Sequence, residues 1–283
     1  AIDVIAILTT VFGVTTSLGL GTVQISAGMA HIFGIEETFT NKVYIIIFIT
    51  LLGLTSVSLG LNAGIKKLSQ VNMIIAIGLL LLVFIFGPTV FILNALVQNF
   101  GAYLNTILQS ATWTEVYNTS SWQNGWTLFY YTWWFSWAPF VSLFIARISY
   151  GRTIKEFIVG VLFVPSLIVF IWMGVFGNAA IYQVINNTSD ISQIVASNMP
   201  VALFTLYDVY PFAQPLSIIS LVLIVTFFVT SSDSGALVAS MLSSKDQSDI
   251  HDDSPMISRV TWAILLGVVA AVLLYAGGLT ALQ

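Results

Sequence analysis

WTLFYYTWWFSWAPFVSLFIARISYGR, residues 126–152, is the stretch whose reading decides the fold of this chain. Five of the eight tryptophans fall between Trp122 and Trp137, and Pro139 then interrupts a segment otherwise apolar enough to cross a membrane. Read as a helix, the stretch places Trp126, Tyr130, Trp133 and Trp137 at steps of 4, 3 and 4. They form one face, which Phe140 and Phe144 extend, with Trp134 about 100° away. At a rise of about 1.5 Å per residue, Trp137 lies about 16 Å below Trp126, the middle of a hydrocarbon core about 30 Å thick. Pro139 has no amide hydrogen, so it frees the carbonyl of Phe135 and biases Ala138 away from the α region. Freed backbone at that depth is tolerated only when buried in protein or lining a polar cavity. A discontinuous helix is therefore expected here. Each aromatic face holds a cation by roughly 0.5–2 kcal/mol, and a quaternary ammonium, with no N–H to donate, suits such a wall. Packing alone gives the same spacing, and the residues by themselves leave both readings open.

The composition points the same way. The chain is 58% hydrophobic and only 7% charged, against about 25% charged residues in soluble domains. There is no cysteine, which excludes a disulfide framework, a thiolate metal site and a cysteine nucleophile. The net charge of −4 is spread thinly without a basic stripe, which argues against nucleic acid as a partner. Residue 1 is Ala and no signal peptide precedes the first apolar run, so the sequence reads as an internal piece of a longer chain.

Seven stretches reach the roughly 20 apolar residues a crossing needs: 2–30, 43–62, 71–96, 126–148, 156–181, 214–240 and 257–280. Residues 97–112 are mixed, with Phe100, Tyr103, Leu104, Ile107 and Leu108 at helical spacing, the pattern of an amphipathic helix at the interface. A second long loop, 182–213, is apolar near Val201–Tyr210 and reads as holding a short helix. With seven crossings, Lys66, Lys67, Arg147, Arg152, Lys155, Lys245 and Arg259 share one side, and only Lys42 falls on the other. The positive-inside rule then places the N-terminus in the cytoplasm and the C-terminus outside. A seven-helix receptor or channel shares that topology. No His/Glu metal set or activated nucleophile lies within the spans, so an enzyme is not expected.

The core WW-x-x-WAPFV-x-x-F-x-ARIS-x-GRT at 133–153 resembles the hallmark segment of the betaine/choline/carnitine transporter family. SLGLGTVQISAG at 17–28, LSQVNM at 68–73 and FFVTSSDSGALV at 227–238 extend the resemblance along the whole chain. It implies an all-α integral membrane fold: seven spanning helices of a twelve-helix transporter whose core is two inverted five-helix repeats. Residues 1–283 would be one transport domain, a fragment without the first four helices and the last. Residues 1–96 would close the first repeat, 97–124 would be the amphipathic connector, and 125–283 would open the second repeat.

The resemblance also implies site residues. Trp133, Trp134 and Trp137 would wall a trimethylammonium group, and Phe144 would line the path towards the cytoplasm. In sodium-coupled members the ion is held at positions matching Phe227, Thr230 and Ser231. A second ion site uses positions matching Thr10 and Phe140; its third position here is Val14, which carries no side-chain oxygen unless Thr15 substitutes. Sodium-independent carnitine exchangers carry an arginine at the position matching Asn72, so sodium symport is expected here over exchange or proton-coupled choline uptake. Arg147 and Asp233, both about 27–32 Å down their helices, are candidates for a cytoplasmic gate pair. The expected setting is the cell inner (plasma) membrane, as a homotrimer, with a quaternary-ammonium solute such as glycine betaine, choline or carnitine and no cofactor beyond sodium.

Overall fold

The computed structural model describes all residues except 1, 61–65, 118–119, 245–253 and 278–283, and the side chains of 57–60 and 147. Among the described residues every regular element is helical. The helices are α1 (Ile2–Phe33), α2 (Phe39–Gly60), α3 (Lys66–Phe86), α4 (Thr89–Ala111), α5 (Phe129–Ile148), α6 (Ile154–Ile185), α7 (Ile191–Ser197), α8 (Ala202–Tyr207), α9 (Ala213–Ser243) and α10 (Met256–Gly277). The expected ends at 61–62 and 278–280 lie outside the described residues.

Among the described residues seven helices are long and apolar enough to cross a membrane, but they are not the seven expected. The predicted span 71–96 is two helices, because Gly87 and Pro88 part α3 from α4. Pro88 cannot donate to the preceding turn and disfavours the α conformation in Gly87. The Tyr210 hydroxyl donates to the Val83 carbonyl at 3.5 Å at this break, and burial pushes the Tyr210 phenol up to about 12. The amphipathic stretch near 97–112 is the later part of α4, which starts at Thr89 and is itself apolar enough to cross. The aromatic stretch, α5, falls below that apolar threshold, because its tryptophans and tyrosines count as polar in hydropathy.

The chain forms two compact units. One comprises Ala1–Ile75, Phe129–Tyr150 and Ile218–Gln283; the other comprises Ala76–Leu128 and Gly151–Ser217. In the first, α1 is central. Its Leu18 and Ile25 pack with Ile45, Ile46 and Ile49 of α2, Val229 of α9, and Ala270 and Leu274 of α10. Its Val14 joins Phe140 of α5, Ala236 and Val238 of α9, and Ala263 and Leu266 of α10. Lipid tails are as apolar as leucine, so close van der Waals packing through small residues holds such helices together. Gly13 and Gly21 are examples: an added Cβ would sit 2.5 Å from the Ser136 hydroxyl at Gly13, and would collide with the Phe228 ring at Gly21.

In the second unit α4 runs antiparallel to α6. Phe91 meets Tyr182 with ring centroids 5.2 Å apart and Phe100 meets Phe170 at 5.7 Å, while Asn99 donates to the Asn178 side chain at 3.3 Å. α6 begins at a reciprocal cap: Thr153 accepts from the Glu156 amide at 3.3 Å, and the Glu156 carboxylate accepts from the Thr153 amide at 2.9 Å. The loop after α6 holds α7 and α8, in line with the short helix expected near Val201–Tyr210.

Candidate functional site: an aromatic wall on α5 anchored to α1

α5 does not break at Pro139. It runs unbroken from Phe129 to Ile148 with the proline inside it. A proline removes one intrahelical bond, and in a membrane helix neighbouring hydroxyls and local adjustment satisfy the freed backbone. Ser136 donates to the Trp133 carbonyl at 2.6 Å and Ser142 to the Pro139 carbonyl at 3.1 Å, on either side of the Phe135 carbonyl that the proline leaves without its usual partner. The break expected after Ala138 is absent, and the irregular backbone lies before α5 instead. Gln123–Leu128 form a π-helical turn, so Trp126 leaves the α-helical register of the aromatic face. Trp126 stacks on Trp122, centroids 6.5 Å apart.

The remaining face holds together. Tyr130, Trp133, Trp134 and Trp137 line a cavity of about 170 Å³. Phe129 stacks on Trp133 with centroids 5.5 Å apart, and Tyr130 meets the same indole at 5.8 Å. Trp134 is 69% exposed, whereas Trp133 and Trp137 are half-buried against α1. The reason is polar. The Trp137 indole Nε1 donates to the Gly13 carbonyl at 3.0 Å, and the Trp133 Nε1 donates to the Ser17 Oγ at 3.2 Å and to Gly13 at 3.4 Å. Ser17 Oγ in turn donates to Gly13 at 3.0 Å. Phe144 does not line the cavity. It packs beside Phe140, 6.5 Å away, in the apolar cluster around Val14.

On α9, Phe227, Thr230 and Ser231 fall within one turn. Both hydroxyls donate to the Phe227 carbonyl, Thr230 at 2.8 Å and Ser231 at 3.0 Å. Each donation uses the hydroxyl proton and leaves the oxygen lone pairs free, so the pair still fits a hard cation. On α1 the Thr10 hydroxyl is fully buried and has no hydrogen-bond partner among the described residues. Thr15, by contrast, donates to the Val11 carbonyl at 2.7 Å.

Residues 1–283 match the family profile described as BCCT, betaine/carnitine/choline family transporter. The chain belongs to that family. Over its full length it is 42% identical to a glycine betaine transporter of Acinetobacter baylyi, covering 42% of that protein. It is 41% identical to a glycine betaine/proline/choline/ectoine transporter of Vibrio parahaemolyticus, covering 49%, and 42% identical to the glycine betaine transporter OpuD of Bacillus subtilis, covering 54%. The chain thus spans about half the length of the curated relatives it matches. This family and these relatives are transporters of the membrane, not enzymes.

Three further positions gain meaning within the betaine/carnitine/choline family. Asn72 is buried, and neither atom of its amide has a partner among the described residues; no cation is built in there. Asp233 is fully buried and accepts from the Ser56 hydroxyl of α2 at 2.5 Å and from Ser234 at 3.2 Å. The Arg147 side chain, its expected gate partner, lies outside the described residues. Gly13 and Ser17 are not among the site residues that the sequence points to. Ser17 opens the SLGLGTVQISAG segment, but small residues on α1 read equally well as helix packing.

Proposed function

We propose that the protein carries out secondary active transport of a quaternary-ammonium compatible solute of the glycine betaine class, coupled to sodium, in the plasma membrane. The observation that carries this reading is the cavity walled by Tyr130, Trp133, Trp134 and Trp137. Ring faces attract a cation electrostatically, and a methylated ammonium loses no hydrogen bonds on entering. The names of the relatives support the solute class.

Sodium is the co-substrate. Phe227, Thr230 and Ser231 would hold it through hydroxyl and carbonyl oxygens, the ligands a hard cation prefers. The unpartnered Thr10 hydroxyl is compatible with a second ion. Alternating access comes from helix groups moving about the wall, within a twelve-helix protein built on two inverted repeats and assembled as a trimer. The N-terminus is cytoplasmic, with the basic residues inside. That topology keeps α4 out of the count of crossings. α6, at 32 residues, is about 48 Å long and exceeds a core of about 30 Å. Its last turns, where α4 runs alongside, then reach the outer interface.

The test is competition for uptake of labelled glycine betaine by cells carrying the full natural gene. Choline or carnitine should compete and glycine, a primary ammonium, should not. Equal competition by glycine would overturn the aromatic-wall reading. Uptake should also collapse when potassium replaces sodium, and uptake that survives the exchange would remove sodium from the account.

A further inference from the structure

Two tryptophans in the wall spend their only polar atom on another helix. An indole has one donor and no acceptor, and in Trp133 and Trp137 that donor is directed to Gly13 and Ser17 of α1. The described lining of the cavity comes from α5, whereas the bonded N–H edges point to α1. The hydrogen bonds therefore fix how both rings are turned within the wall. Gly13 makes this possible at close range: an added Cβ would stand 2.9 Å from the Trp137 ring atom Cδ1 and 2.5 Å from the Ser136 hydroxyl. Ser17 links the arrangement, since its oxygen accepts from Trp133 while its proton goes to Gly13.

We propose that Gly13 and Ser17 are positioning residues that fix the orientation of the two indoles in the wall, and thereby set the preference for a fully methylated ammonium over a partly methylated one. The inference rests on the binding role of the wall and adds the selectivity device to it. A trimethylammonium group gains only dispersion and cation–π attraction, both of which depend on ring orientation. A dimethylammonium keeps one N–H and is served almost as well by a wall whose rings turn, because it can hydrogen-bond to water or a carbonyl. Loosening the anchor then weakens the trimethyl ligand selectively.

The experiment is uptake kinetics in cells carrying the full natural gene, with glycine betaine and dimethylglycine as the two substrates. Ser17→Ala removes one oxygen and adds no atom. It should raise the KM for glycine betaine by about 3- to 10-fold, the range expected for one lost hydrogen bond, with maximal velocity within about 2-fold of wild type. The KM ratio of dimethylglycine to glycine betaine should fall by about 3-fold. Ser17→Thr keeps the oxygen and should retain the wild-type ratio; loss of the ratio in this variant as well would mean that volume, not the bond, matters, and would overturn the proposal.

Trp137→Leu serves as reference. If it impairs glycine betaine uptake while Ser17→Ala leaves KM and ratio unchanged, the anchor is refuted and the wall stands. If both leave uptake unchanged, the wall itself is refuted. An independent readout on the unmodified protein is indole N–H exchange. Trp133 and Trp137 should exchange at least about 10-fold more slowly than the exposed Trp134, as a bonded, half-buried donor does; equal rates would overturn the anchoring.

Discussion

The aromatic wall on α5 and the hydroxyl turn on α9 are held in opposite ways. Trp133 and Trp137 are fixed by a carbonyl and a hydroxyl more than a hundred residues earlier in the chain. Thr230 and Ser231 are fixed by the Phe227 carbonyl, within their own turn. One region borrows its geometry from a neighbouring helix, whereas the other carries it along. A rigid wall suits selection by shape and charge. A self-contained turn would suit the proposed sodium site, because its hydroxyls stay together whatever the neighbouring helices do.

The sharpest way to break this contrast is to push α1 away from α5. Gly13→Val puts a branched side chain where a Cβ alone meets Ser136 at 2.5 Å. Overpacking of this kind costs about 1–3 kcal/mol. Glycine betaine uptake should fall by more than about 10-fold, with the sodium concentration for half-maximal rate little changed. A next smaller effect is expected on the other side. Thr230→Ala with Ser231→Ala should raise the sodium concentration for half-maximal uptake by about 5-fold, and leave the solute KM at saturating sodium within about 2-fold. Should the double variant shift solute KM and sodium dependence together, the two regions are not separable. The smallest effect belongs to Tyr210→Phe. Its hydroxyl also reaches far along the chain, to Val83, but in the unit that holds neither site. Loss of that long bond should cost at most about 1 kcal/mol of stability, read as a small drop in Tm, and leave uptake kinetics unaltered.

Legibility in the sequence followed the same divide. Where the determining contact is local, the residues show it: the apolar runs mark most of the helices, and Trp133, Tyr130 and Trp137 share a face because helical spacing makes them do so. The Thr230–Ser231 pair lies within a turn of Phe227, but its reading as an ion site comes from the family resemblance and not from the spacing. Pro139 lowers the odds of a continuous helix without forbidding one, and α5 runs through it. Gly87–Pro88 carries the plain breaker signal, but it sits inside a long apolar run whose hydropathy reads as one span. The π-helical turn that takes Trp126 off the face has no signal in spacing. Gly13 and Ser17 were hidden for a different reason. A glycine and a serine on a small-residue face look like packing, and only the position of a helix more than a hundred residues away shows that their oxygens meet two indoles.

The central claim is that the α5 wall binds the ammonium group. Equilibrium binding of labelled glycine betaine to the purified full-length protein, wild type against Trp137→Leu, tests it most directly. Losing one ring face, worth roughly 0.5–2 kcal/mol, together with the packing it supports, should weaken binding by about 10-fold or more. An unchanged dissociation constant in a variant that still folds would contradict the account.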